Sequence, residues 1–550
     1  MTAFAARRTV VRPSSRSRRF PRPLTRATAI AATACALLAA LTLAPATATA
    51  QTRGGTLNFV VTPEPTALVD FATTAVNVLK VSPKVVEGLL DYDFAFNPKP
   101  LLAASWSIED GGKRYVFHLR PGVKWHDGQP FTSADVAFSL DLLRKVHPRA
   151  KSTFANVTSV ATPDATTVVL TLSKPTPYLI KAFSATETPI LPKHLYMHGD
   201  PLDNPANNAP VGTGPFRFVK WVRGNYIEYA RNPDYWQPGK PYLDRLFVKI
   251  IADPGARTAA FESGAVDLGG DIPVPLADLA RLKADPKLAL DTRGYEFQAG
   301  VARIEFNLDN PVLKNLKVRQ AIAHALDREV IRKVIYYGYA TPLVSPLIPT
   351  NPYYDPAPNP YPFDPNRANA LLDAAGYPRH DDGTRFALTI DPLPIGDIPA
   401  RTAAYVKSAL ARVGIAVTIR NQDLPAYLKR IYTDRAFDFS LNGMSNLFDP
   451  VAGVARLYTT ASFRRGVPFT NGSHYSNPEI DTLFAQAAEE TDEAARKRAF
   501  AQIQQTLERD LPDINLVAPQ YVTVASRAVQ AHTVSPDGVS GSFADLWLKR

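Results

Sequence analysis

Residues 101–141, LLAASWSIEDGGKRYVFHLRPGVKWHDGQPFTSADVAFSLD, carry four folding instructions in unbroken succession. Leu101 to Trp106 is a short apolar run closed by the turn signal Asp110-Gly111-Gly112. From Tyr115 to Arg120 the side chains alternate, with Tyr115, Phe117 and Leu119 on one side and Val116, His118 and Arg120 on the other, which reads as a strand. Asp127-Gly128 is a tight turn in which glycine accepts a positive φ. Thr132-Ser133-Ala134-Asp135 places an acid three residues after an N-cap, a capping box that starts a helix through Ala137, Leu140 and Leu143. These signals give strand, turn and helix, and no chemistry.

At 550 residues the chain is too long for one core, and about three domain-sized units are expected. Residues 1–50 stand apart from any fold argument. They hold eight arginines (Arg7, Arg8, Arg12, Arg16, Arg18, Arg19, Arg22 and Arg26) and no acid or lysine. An apolar run from Ala29 to Ala44 follows, then the small-x-small signal Ala48-Thr49-Ala50. This is the pattern of a secretory signal peptide cleaved after Ala50, with the Sec and twin-arginine routes both open. The apolar run is shorter than the roughly 20 residues that a membrane span needs. Without these eight arginines, the 62 basic residues become 54 against 51 acidic ones, and the net charge falls from +11 to +3. The basic character is thus largely an export tag, and a nucleic-acid partner loses its support. Cys35, the one cysteine, lies inside the apolar run rather than at its end, where a lipid acceptor would sit. A mature chain from residue 51 would have no disulfide, no thiol nucleophile and no cysteine-ligated metal.

Beyond the signal, Gly54 to Val61 reads as a first strand ending at Thr62-Pro63-Glu64-Pro65, and residues 84–90 as a short amphipathic piece. Strands and one or two helices fill 91–209, ending in the polar loop Asp203 to Pro210. Sheet-like sequence returns at Gly212 to Trp221, Ile227 to Tyr229 and Leu246 to Ile251. From Val318 the period becomes helical, with Val318, Ala321, Ile322, Ala325 and Leu326 on one face. Nine prolines between 342 and 365, interleaved with Tyr353, Tyr354, Tyr361 and Phe363, predict a rigid loop packed by its own aromatics. Phe386 to Ile390, Ile398 to Arg412 and Ile415 to Ile419 form a strand–helix–strand series that suits a βαβ unit. Helices follow at 478–490 and 493–509, then short strands near 513–518 and 521–525.

The opening block, "A-x-x-W" and then "F-x-L-R-x-G-V-K-W-H-D-G-x-P-F-T-x-x-D-V", resembles the extracytoplasmic solute-binding proteins of family 5, which serve dipeptide, oligopeptide and nickel ABC importers. GTGPFRFVKW at 212–221, RNPDYW at 231–236, AAFESGAVDL at 259–268, VRQAIAHALDREVI at 318–331 and HYSNPEIDTLFAQA at 474–487 extend the resemblance over nearly all of the mature chain. It implies an α/β, two-lobed periplasmic-binding-protein fold, class II-like, with an extra inserted subdomain and two strands crossing between lobes. Lobe I would comprise 51–90, 210–297 and 516–550, with the insertion at 91–209, and lobe II would be 298–515. Ligand would be enclosed by hinge closure, driven only by contacts present in the closed state.

No catalytic constellation competes with that reading. Gly212-x-Gly214 lacks the third glycine of a dinucleotide fingerprint, and Gly538-Val539-Ser540-Gly541 breaks the hydrolase elbow. His118 and His126-Asp127 read as strand and turn residues, and His194 and His198, at metal-binding spacing, have no evident third ligand. In peptide-binding relatives, the first acid of G-W-x-x-D-Y-x-D/E-P holds the ligand's α-amine. Here the segment is Gly443-Met444-Ser445-Asn446-Leu447-Phe448-Asp449-Pro450, one residue shorter, with Asn446 or Leu447 at the amine position. Asn446 offers neutral donors and an acceptor, suited to a hydroxyl, amide or carbonyl, and Met444 offers soft packing. Thr62 and Glu64 border the cleft by resemblance, and Tyr295, Phe448 and Tyr458 are candidate aromatic walls, with core packing the alternative. The expectation is a monomeric periplasmic binding component of an ABC importer. It would bind a peptide-like or other small polar solute without catalysis or cofactor and pass it to the permease and ATPase complex. A metal-chelate or haem carrier and a sensory binding protein are the alternatives.

Overall fold

The computed structural model describes residues 51–549, so the signal peptide read at 1–50 lies outside them. Three sheets carry most of the architecture. In the first, of seven strands, Thr56–Val61 runs parallel to Arg245–Ile250 on one side and to Leu268–Gly269 on the other. Leu57, Phe59, Val60 and Val61 are all buried, the near-continuous burial of a strand covered on both faces. Thr523–Ser526, from the C-terminal tail, is wedged antiparallel between Leu268–Gly269 and Leu288–Asp291. The hairpin Phe216–Val222 and Tyr226–Arg231 forms the opposite edge.

A second sheet of six strands is drawn wholly from 300–519. Its centre pairs Gly300–Phe306 with Asp513–Pro519 on one side and Phe439–Ser445 on the other, both antiparallel. Phe386–Pro392 and Ile415–Ile419 are parallel neighbours joined by the helix Ile398–Ala411, whose Ala403, Val406 and Leu410 cover the sheet. The βαβ expectation therefore holds, because the helical period of 398–411 aims one apolar stripe at the two strands it connects.

The opening block folds into the third sheet, four antiparallel strands between 103 and 172. Tyr115, Phe117 and Leu119 point into the core while His118 is exposed, as the alternation demands. The helix Ser133–Val146 begins at the capping box, with Asp135 Oδ2 accepting from Thr132 N at 2.8 Å.

Two local readings come out differently. Residues 84–90 do not form an amphipathic element. Ser82–Lys84 is a single 3-10 turn, and the chain then runs irregularly, with Val85, Val86 and Leu89 all buried, to the short strand Leu90–Tyr92. The cause is a close approach by Gly212-Thr213-Gly214. A Cβ on Gly212 would sit 1.8 Å from the Val85 carbonyl oxygen, and one on Gly214 2.6 Å from it. Gly214 N donates to that oxygen at 2.9 Å, so the two glycines serve backbone contact. The proline-rich segment is anchored by its tyrosines, but on other elements rather than on one another, with Tyr361 edge-on to His324. Tyr353 and Tyr361 are buried, and Tyr353 lies against Phe500 with ring centroids 4.6 Å apart, although Phe363 is exposed.

The largest apolar core joins the seven-stranded and four-stranded sheets. It also takes in Leu447 and Phe448, which follow a strand of the six-stranded sheet.

Candidate ligand cleft

Beyond Ser445 the chain leaves the six-stranded sheet and turns outward. Leu447 adopts φ 56°, a left-handed conformation uncommon for a leucine, and so directs itself and Phe448 into the neighbouring core. Phe448 packs on Phe297 at 6.4 Å between centroids, and Phe297 in turn meets Tyr92 and Phe96 edge-on. Asp449 then caps the helical turn Pro450–Gly453 by accepting from Val451 N at 3.0 Å.

Asn446 is held internally. Its Nδ2 donates to Pro346 O at 2.9 Å, and its Oδ1 accepts from Ile348 N at 2.8 Å. The proline-rich loop thus presents one acceptor and one donor, which the amide satisfies together; an ionised carboxylate here would leave the Pro346 carbonyl without a donor. Asp449 is equally engaged. Arg496 Nη1 and Nη2 reach its two oxygens at 2.8 and 2.7 Å, and Lys181 Nζ lies 3.9 Å away. Tyr353 Oη receives Arg496 Nη1 at 2.5 Å. Burial lowers the preference of Arg496 for charge, but Asp449 reverses this and holds its pKa above the ordinary guanidinium value. Met444, in the strand just before, accepts a long contact from Arg456 Nη2 at 3.7 Å.

The remaining expected site residues lie elsewhere. Glu64 Oε1 accepts from Trp221 Nε1 at 2.9 Å and from Gly224 N at 3.0 Å, tying the segment after Thr62 to the edge hairpin. Tyr295 Oη lies 2.6 Å from Thr523 Oγ1 and accepts from Asp271 N at 2.8 Å, linking the 292–299 crossing to the C-terminal strand. Tyr458 is buried in the six-stranded half and donates to Asp513 at 2.6 Å, beside Arg303. Burial, and then Asp513, drive its phenol well above the usual range. The structure therefore keeps Met444, Asn446, Phe448 and Asp449 at one junction, while Glu64, Tyr295 and Tyr458 are engaged in contacts of their own elsewhere.

Sequence reasoning missed the charged residues that meet this junction. Arg149 grips Glu187 through Nε at 3.0 Å and through Nη2, and Lys181 approaches Asp449 from the same 91–209 region. No spacing announced these. Arg496 did leave a signal, since it stands on the buried stripe of its helix with Ala499, Phe500, Ile503 and Leu507. A charged residue on such a stripe needs a partner, and here that partner is Asp449. Among the described residues no cluster of three or more His, Cys, Asp or Glu side chains is placed to hold a metal, and His194 Nε2 pairs instead with Asp127 Oδ2 at 2.6 Å.

Comparison with known proteins agrees with this architecture. Residues 97–464 match the family described as bacterial extracellular solute-binding proteins, family 5 Middle. A protein of Brucella ovis named as an ABC transporter peptide-binding protein is 31% identical over 458 residues, covering 80% of this chain and 83% of the relative. The glutathione-binding protein of Pectobacterium atrosepticum is 28% identical over 476 residues, covering 85% of this chain and 89% of that protein. Among solved structures, the periplasmic binding protein DppA of Helicobacter pylori, in complex with the peptide STSA, superposes with a TM-score of 0.76 at 26% identity, covering 91% of this chain and 99% of that one. This chain belongs to family 5 of the bacterial extracellular solute-binding proteins, the substrate-binding components of ABC importers.

Proposed function

We propose that the chain captures a peptide-like or other small polar solute between two closing lobes and delivers it, unchanged, to an inner-membrane ABC permease. Lobe I is read as 51–90, 210–297 and 516–550 with the subdomain 91–209 inserted, and lobe II as 298–515. The observation that carries the reading is the seating of Leu447 and Phe448, from the six-stranded half, in the core of the other two sheets. Such a seam must part to admit a solute, and closure then adds apolar burial to whatever the solute contributes. Residues 1–50 act as a cleavable export signal, and the mature protein works in the periplasm as a monomer.

The described residues contain no cysteine, so paired labels are readily introduced. Lys113→Cys and Thr491→Cys place one label on each side of the seam near the Lys174–Glu489 rim pair, whose atoms lie 2.7 Å apart. The mature chain is screened with dipeptides, N-acetylated dipeptides, sugars and opines, reading melting temperature and label distance together. A solute that raises the melting temperature, shortens the distance and is recovered intact supports the reading. A solute that binds tightly with no change in distance, or emerges chemically altered, overturns it.

A further inference from the structure

The loop after the strand Leu268–Gly269 holds two consecutive residues at positive φ, Asp271 at 62° and Ile272 at 56°. Aspartate tolerates that region, but a β-branched side chain is crowded against the backbone there. Pro273 deepens the conflict, because a proline drives the residue before it towards extended backbone. Such a pair persists only where its surroundings over-determine it.

Those surroundings are the connections between the seven- and six-stranded sheets. Residues 292–299 join Leu288–Asp291 to Gly300–Phe306, and residues 520–522 join Asp513–Pro519 to Thr523–Ser526. Asp271 N donates to Tyr295 Oη at 2.8 Å on the first connection, and Ile272 N donates to Val522 O at 3.1 Å on the second. Tyr295 and Tyr521 tie the two connections together, with ring centroids 5.5 Å apart. From the other side the buried Lys80 Nζ reaches Gly270 O at 3.2 Å and Asp271 Oδ2 at 3.3 Å. Gly270 is equally confined, since a Cβ there would meet Val539 Cγ2 at 2.3 Å and Tyr295 Oη at 2.8 Å. The loop is therefore fixed to both connections at once, and a rotation of either is transmitted to Asp271 and Ile272.

We propose that Ile272 is a positioning residue of the hinge: the backbone strain at Asp271–Ile272 is held while the lobes are shut and released when the connections rotate, so that it biases the ligand-free protein open and leaves closure to the solute. The inference rests on the lobe closure proposed above. Relief of the strain at one residue should favour the shut form about tenfold.

The test needs no solute. The Lys113→Cys/Thr491→Cys chain is spin-labelled, and pulsed dipolar spectroscopy counts its short- and long-distance populations. Two variants relieve the strain by different routes. I272G removes the Cβ, whereas P273A keeps the isoleucine and frees the residue before the proline. I272A loses the packing but keeps the Cβ, and A531G relaxes a residue at φ 55° in the C-terminal tail, away from both connections. The expected result is a short-to-long ratio raised about tenfold in I272G, raised in the same direction in P273A, and close to the parent in I272A and A531G. Higher melting temperatures in I272G and P273A with unchanged distances would assign the strain to the fold alone and overturn the proposal, as would a ligand-free parent that shows only the short distance. If a solute closes the parent but neither variant shifts the ligand-free populations, lobe closure stands and this inference falls. If the variants shift the populations but no solute moves the labels, the loop governs the hinge and the solute-driven reading falls instead.

Discussion

Asp449 and Arg496 face each other as two parallel N–H···O contacts at 2.7 and 2.8 Å, both groups buried, bridging the segment after Ser445 to the helix Glu493–Asp510. Removing one partner strands a charge where water cannot reach it. R496M is expected to cost about 3–5 kcal/mol of unfolding free energy, whereas R496M with D449L costs much less than R496M alone. Denaturant titrations of both variants check this, and additive losses would refute it.

Asn446 is expected to behave as a structural clamp on the proline-rich loop. N446L removes the donor for Pro346 O and the acceptor for Ile348 N together, and about 1–3 kcal/mol should be lost for each buried backbone group left unpaired. N446D sets an unpaired buried carboxylate against the Pro346 carbonyl and should lose at least as much as N446L at neutral pH. Hydrogen exchange at Ile348 reports the clamp directly, and unchanged protection in N446L would contradict it.

Lys181 contributes through the seam rather than through fold stability. Its side chain keeps 19% exposure and its ion-pair distance is 3.9 Å, so K181M should change the unfolding free energy of the mature chain by less than about 1 kcal/mol. Solute affinity, by contrast, should weaken several-fold, because on the proposed reading the contact forms on lobe closure. Label distances in the ligand-free protein should lengthen; a large drop in stability with unchanged distances would assign Lys181 to the fold instead.

Asp70 sets a measurable pH dependence. Burial lifts its carboxyl to about 7, against the opposing hydrogen bond from Ser82, and its Oδ2 has no partner. An unfolded aspartate titrates near 3.9, so between about pH 4 and 7 the folded form holds a proton that the unfolded form has lost. Stability from this group therefore falls as pH rises through that window and is level outside it. D70N should gain on the parent protein from about pH 4 to about pH 7, and the gain should level off above that. His147 and His126, pulled down by burial to about 3 and about 4, tilt both curves the other way and cancel in the difference. A difference in melting temperature independent of pH would exclude the assignment.

The legible parts of the fold were those whose causes are local. The Thr132–Asp135 capping box, the Tyr115–Leu119 alternation and the 398–411 stripe each lie within one turn or one strand of their own evidence. The site was less legible because its partners are remote in sequence. Asn446 is paired 98 and 100 residues away, Asp449 is paired 47 residues away, and Glu64 is spent on Trp221 157 residues on. Local pattern singled out the candidate segment from Gly443, but only tertiary contact reveals which of its polar atoms are already used.

The strand Thr523–Ser526 enters the seven-stranded sheet between two strands made long before it. While the polypeptide is being synthesised, that slot stays empty and the facing edges of Leu268–Gly269 and Leu288–Asp291 stay unpaired. Completion of the sheet is thereby postponed until the tail arrives, so this half of the protein cannot finish folding before its last residues are available.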